Sequence, residues 1–175
     1  MAPGLELASL PPRALPGSIP ADLEVFAIGD VHGQADLLAG CLEEIARTPR
    51  APGTERLVVF LGDIIDRGPD SLGAIDLAMD AAERAHAARA VLLPGNHELA
   101  LLDALDGDDE ALWLANGGKT VMREIDPAWE RRPWSRARRR LRAAIPDTYV
   151  AAIRAAPSHL RIGDLICVHA GLDPC

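Results

Sequence analysis

Nine polar residues of this 175-residue chain gather in four short segments: Asp30 and His32 in GDVHG (29–33), Asp63, Asp66 and Arg67 in GDIIDRG (62–68), Asn96, His97 and Glu98 in GNHE (95–98), and His169 in VHAG (168–171). Carboxylate, amide and carbonyl oxygens combined with imidazole nitrogens suit borderline divalent ions such as manganese, iron or zinc, and no thiolate stands beside them to favour a structural zinc site. The economical arrangement is a pair of ions about 3.5–4 Å apart. Asp30, His32 and Asp63 would hold one, and Asp63, acting as a bridge, with Asn96 and His169 would hold the other. Such a pair lowers the pKa of a bound water toward about 7 and clamps the oxygens of an in-line attack on phosphorus. Phosphoester hydrolysis is the matching reaction. Arg67 and Asn96 would then grip phosphate oxygens. His97 would protonate the departing oxygen, and Asp66 would fix its tautomer. Glu98 reads as an anchor of its loop rather than a ligand.

Three of these segments follow a short apolar run, at residues 24–28, 57–61 and 90–93, and each run ends in glycine plus a polar residue. Between the runs lie helical patterns. Leu37, Leu38, Cys41, Leu42 and Ile45 describe one apolar face, and Leu72, Ile75, Met79 and Ala82 another. The order βαβαβ implies parallel strands joined by right-handed crossovers, with both helices on one face. In such sheets ligands bind beyond the carboxyl ends of the strands, where the polar clusters stand. The 33-residue spacing of Asp30, Asp63 and Asn96 matches an ankyrin period, but that solenoid has two helices per unit and no buried strands. A helix over about 99–105 leads to an acidic turn at 106–110. Further helices, interrupted by Pro127, Pro133 and Pro146, precede a hairpin of 160–162 and 165–168 around Gly163-Asp164. The second hairpin strand ends at His169.

The organisation expected is a Pro-rich mobile leader over 1–20 and one domain over 21–175. Hydrophobic residues make up 49% and charged ones 25%, which excludes a disordered chain and a disulfide scaffold. Aromatics are only 3%, too few for a base-stacking platform. The net charge is −8, yet residues 123–142 hold eight arginines against three acids. That stretch reads as a solvated helical face, and nucleic acid is disfavoured as a partner because the remainder of the chain would repel it. His86 and His159 read as partly buried packing residues, and Cys41 and Cys167 as small core hydrophobes. Three cysteines without a paired pattern fit a reducing compartment. With no apolar run of the roughly 18 residues needed to span a bilayer and no secretory leader pattern, a cytoplasmic protein without membrane association is expected.

The four motifs, in this order and spacing, resemble the phosphoprotein phosphatase branch of the calcineurin-like metallophosphoesterases. GPDSLGAIDLAM after the second motif and WLANGGKTV at 113–121 are similar to bacterial serine/threonine protein phosphatases of the PrpA and lambda-phosphatase type. The resemblance implies an α/β fold, a β-sandwich flanked by helices that starts βαβαβ. It also implies two divalent ions, manganese foremost with iron or zinc as substitutes, and phosphoprotein or phosphopeptide substrates. Asp66 and Glu98 favour this branch over symmetrical diadenosine tetraphosphate hydrolases. Family members carry a further metal-binding histidine and phosphate-gripping arginine after the HAG motif. Neither is present here, so the expectation is a C-terminally truncated domain lacking the last part of its second sheet, and a catalytically impaired remnant stands as a rival reading.

Overall fold

The computed structural model describes residues 17–172. Three parallel strands, β1 (Leu23–Ile28), β2 (Glu55–Phe60) and β3 (Arg89–Leu92), lie in the order β1-β2-β3. The crossovers are α1 (Ala35–Arg47) and the pair α2 (Ser71–Met79) and α3 (Ala81–Arg84). Sequential strand order with short crossovers places both on one face of the sheet. Val58 and Phe60 of β2 share one hydrophobic cluster with Leu38, Leu42 and Ile45 of α1 and Ala74 and Ile75 of α2. Leu57 and Val59, on the alternate face, pack instead with Ile162, Leu160 and Cys167. These last belong to the antiparallel hairpin β4 (His159–Ile162) and β5 (Leu165–Val168). Layers of helices, sheet and hairpin result. β2 is the shared wall, and the two faces of the sheet explain its run of buried residues.

The remaining helices are α4 (Asn96–Asp106), α5 (Glu110–Trp113), α6 (Lys119–Ile125), α7 (Trp134–Ala144) and α8 (Asp147–Ala155). They extend the helical layer, with Trp113, Met122, Leu141 and Tyr149 fully buried. A fully buried side chain of this size contributes about 1.5–3 kcal/mol relative to exposure.

Three expectations shift. Leu37 and Met79, placed on apolar helix faces, are 47% and 40% exposed. The buried stripe of α1 runs through Ala35, Leu38, Leu42 and Ile45, and Leu37 sits about 100° off Leu38, at the rim. The second apolar face is broken because α2 stops at Asp80 and Ala82 belongs to α3. His86 and His159 are exposed rather than partly buried. Of the expected leader, residues 1–16 lie outside the described residues. Ser18, by contrast, is tied to the hairpin turn: its N–H and hydroxyl both donate to Asp164 Oδ2, at 3.2 and 3.0 Å. Ile19 packs in the same cluster as Leu160, Ile162 and Cys167 of the β4–β5 hairpin.

Arg56, an unusual buried cation in β2, closes the far end of the sheet. It donates to Ile45 and Thr48 carbonyls at the end of α1 and to Ala85 after α3, and pairs with Glu24 at 2.7 Å. Helix C-termini leave carbonyls without partners, and a guanidinium supplies enough donors for two of them. Opposite this stable end lie the carboxyl ends of the strands.

Candidate functional site

The strand register sets the positions of the site residues. Ile28 pairs with Phe60 and Phe60 with Leu92, so the three chains leave the sheet side by side, about 4.8 Å apart. The first two loops are then laced together: Val31 and His32 N–H both donate to the Asp63 carbonyl (2.9 and 2.8 Å), and Gly33 N–H donates to Ile64 O (2.8 Å). This lacing demands unusual backbone. His32, Asp63, Asp66 and Arg67 all have positive φ, between 46° and 73°. A non-glycine residue there is uncommon, and four at one place mark a site held by its surroundings. Gly62, at φ 103°, is required for a second reason: a Cβ there would come within 2.8 Å of His169 Nδ1 and 2.5 Å of Gly95 N.

Glu98 is the anchor of the loops. Its carboxylate accepts the N–H groups of Asp63, Ile64 and Gly95 at 2.8–2.9 Å and the Tyr149 hydroxyl at 3.1 Å. Both oxygens are occupied, which leaves none for a metal. Tyr149, carried in by α8, is the partner that the sequence reading missed. Burial, then the Glu98 charge, raises its phenol well above the usual value, so it stays a donor.

Three imidazoles surround Asp63, and each spends Nδ1 on an oxygen of the protein. His32 Nδ1 donates to Ile65 O (3.0 Å), His169 Nδ1 to Leu61 O (2.7 Å), and His97 Nδ1 meets Asp66 Oδ2 (2.7 Å). Fixing the proton on Nδ1 turns the Nε2 lone pair toward the centre, as in metal-binding histidines. Nε2 of His32 and of His97 lie 3.7 and 3.9 Å from Asp63 Oδ2, and Nε2 of His169 lies 3.5 Å from Asp63 Oδ1. His169 Nε2 also faces Asn96 Oδ1 at 3.1 Å, and Asp30 Oδ2 stands 3.9 Å from His32 Nε2. The buried Nε2 of His97 has no hydrogen-bond partner. At His97 and His169 a lone pair that faces carboxylate or amide oxygens is repelled unless a cation lies between them, whereas the His32 lone pair accepts from Arg67 Nη1. The donor set therefore fits divalent ions.

All the residues expected as ligands, Asp30, His32, Asp63, Asn96 and His169, converge here. The grouping differs in two respects, since His97 falls with His32 and Asp30 with His169. His32, Asp63 and His97 offer one cluster of atoms within 4.8 Å of one another, and Asp30, Asp63 and His169 offer another. His97 therefore stands as near the shared carboxylate as His32 does.

Asp66 is fully buried behind His97. The Trp113 indole N–H reaches both its oxygens at 3.0–3.1 Å, and its own backbone N–H donates to Ser71 Oγ. Burial pushes its carboxyl up to about 6, outweighing the His97 and Trp113 hydrogen bonds that favour the ionised form. Trp113 is a further residue missed from sequence as a site partner. Arg67 lies at the rim, exposed, with Nη1 donating to His32 Nε2. The reason for the Asn116-Gly117-Gly118 break is now visible. Gly117 (φ 133°) lies against this loop, and a Cβ there would approach Arg67 Cγ to 2.9 Å and Asp66 Cβ to 3.2 Å.

The expected arginine face is solvent-exposed. On α7 only Ala137 and Leu141 are buried, while Arg132 and Arg140 pair with Asp126 at 2.8 and 3.5 Å. Cys41 and Cys167 are half-buried, among the residues flanking the two cores. No helix among the described residues is long and apolar enough to cross a membrane.

Comparison with known proteins is consistent with this geometry. The family described as calcineurin-like phosphoesterase matches residues 23–173. Serine/threonine-protein phosphatase 1 of Salmonella typhimurium is 39% identical over 94 residues, which are 54% of this chain and 38% of that protein. Serine/threonine-protein phosphatase 2 of Escherichia coli is 33% identical over the same shares. The asymmetrical bis(5'-nucleosyl)-tetraphosphatase PrpE of Bacillus subtilis is 28% identical over 83% of this chain and 56% of its own length. The chain thus spans well under two thirds of the length of these relatives.

Proposed function

The chain belongs to the calcineurin-like phosphoesterase family, and from that membership we propose that it is a divalent-metal-dependent phosphomonoesterase acting on phosphoserine or phosphothreonine in proteins. The observation that carries this reading is the convergence of the His32, His97 and His169 imidazoles on Asp63, with Arg67 as the cation at the rim. Two divalent ions, manganese foremost, would be held by Asp30, His32, Asp63, Asn96 and His169, and when bound would supply Lewis-acid activation of a water for in-line attack on phosphorus.

The protein's own groups do the rest. Arg67 presents a guanidinium that donates to two phosphate oxygens in a fork and orients the ester, and the Asn96 amide adds a contact from the other side. His97, with Nδ1 held by Asp66, carries its second proton on Nε2, the atom without a partner inside the fold. That proton goes to the departing seryl or threonyl oxygen, a step that contributes about 10²–10⁴-fold in such reactions. Asp66 acts through His97, holding Nδ1 and so fixing the ring orientation. The Trp113 indole N–H holds the Asp66 carboxylate.

A second reading has its own support. The PrpE relative matches across most of this chain, so dinucleoside tetraphosphate hydrolysis is the alternative substrate class. Parallel assays with a phosphothreonine peptide and diadenosine tetraphosphate, each with manganese, decide between them. Faster turnover of the peptide supports the phosphatase. Turnover of the dinucleotide alone overturns it.

A further inference from the structure

Beside the site, a cavity of about 470 Å³ opens between the Arg67 loop and α6, lined by Gln34, Arg67, Pro69, Thr120, Arg123 and Glu124. Its hydrogen-bonding capacity is unevenly spent. Both Glu124 oxygens accept backbone N–H groups at the start of α2, from Ser71 (2.9 Å) and Leu72 (3.0 Å). The Thr120 hydroxyl donates to Gly117 O. Arg123 has one ion pair among the described residues, to Glu130 at 3.5 Å, with both side chains more than half exposed. A pair of that kind holds its partners weakly. Arg67 at the inner end and Arg123 at the outer end are therefore the cationic donors that remain available, beside the neutral amide of Gln34. The one carboxylate of the lining is engaged by backbone.

Resting on the phosphatase reading above, we infer that this cavity is a substrate-selecting subsite. Arg123 receives an acidic side chain lying within a few residues of the phosphorylated one while Arg67 holds the phosphate. The lining contains no aromatic ring, and its one cyclic apolar group is Pro69. A nucleobase gains most from an aromatic face to stack on, and this lining has no ring of that kind. An anionic peptide side chain needs only the guanidinium.

The test uses two fluorescein-labelled phosphothreonine peptides, one flanked by glutamates and one by alanines. Steady-state turnover with manganese and anisotropy titration without turnover are measured for wild type, Arg123→Gln and Arg142→Gln, the last a remote arginine of α7. The glutamate peptide is expected to show a KM and Kd about fivefold lower than the alanine peptide. Arg123→Gln removes that preference with kcat unchanged, whereas Arg142→Gln keeps it. Turnover of p-nitrophenyl phosphate, which has no flanking residue, stays unchanged in Arg123→Gln. A preference that survives Arg123→Gln, or equal affinity for both peptides in wild type, overturns the subsite. An Arg123-dependent difference in Kd without hydrolysis of either peptide or p-nitrophenyl phosphate upholds the subsite and removes the phosphatase reading. Binding of diadenosine tetraphosphate that depends on Arg123 and exceeds that of the glutamate peptide assigns the cavity to the nucleotide and overturns it.

Discussion

Helix α7 carries five arginines and no acid, while the strand ends bring together three aspartates, three histidines, a glutamate and one arginine. By charge count α7 is the more conspicuous. Yet its arginines surround a buried stripe of Ala137 and Leu141, and among the described residues their one ion pair runs from Arg140 to Asp126 at 3.5 Å. At the strand ends Asp63, Asp66, His97 and Glu98 are buried, and His97 Nε2 is a fully buried side-chain nitrogen left without a hydrogen-bond partner in the fold. Burying a charge is costly unless hydrogen bonds compensate it. A fold that meets that cost in one place, on backbone with four positive-φ side chains, has committed that place. Function follows commitment of partners rather than abundance of charge.

The comparison can be broken from either side. The largest effect is expected at the shared carboxylate: Asp63→Asn brings manganese-stimulated turnover of an aryl phosphate to background, and undiminished rates would remove Asp63 from the site. Next, His97→Asn lowers kcat about 100-fold with little change in KM, measured on a phosphopeptide with a poor leaving group. Equal loss on an activated aryl ester would argue against proton donation.

Glu98→Gln tests the anchor rather than the chemistry. It places an amide N–H₂ against donors from Asp63, Ile64, Gly95 and Tyr149, and about 3 kcal/mol of stability should be lost in urea unfolding. A smaller effect comes from Asp66 in the metal-free protein. Its folded pKa, raised from 3.8 to about 6, means that the folded state binds the proton more tightly than the unfolded chain. Its contribution to stability is full below about 3.8 and fades as pH rises through about 6. Asp66→Asn should flatten that part of the stability profile, and an unchanged slope would contradict it. Smallest of all, Arg139→Gln on α7 should shift stability by less than about 0.5 kcal/mol and leave turnover alone.

Much of the site could be read before the fold because its residues sit at one kind of place. A glycine plus a polar residue after an apolar run marks a strand end, and parallel strands in register bring such ends together. The loop-anchoring role of Glu98 was visible for the same local reason. Trp113 and Tyr149 were not visible as site partners. They reach Asp66 and Glu98 across 47 and 51 residues, and their spacing looks like ordinary core periodicity. Arg56 was hidden likewise, since a buried cation in an apolar strand is explained only by the helix ends that meet it. Leu37 and Met79 were misplaced because a residue at the rim of a helical stripe has the same composition signal as one at its centre.

The central claim is that one carboxylate, Asp63, is shared between two metal sites whose other ligands, Asp30, His32, Asn96 and His169, gather around it. Manganese binding to wild type and Asp63→Asn, followed by calorimetric titration with elemental analysis of the dialysed proteins, tests it most directly. Two ions per wild-type chain, with both sites lost together in Asp63→Asn, is the predicted result. Retention of either site at wild-type affinity in Asp63→Asn would contradict the account.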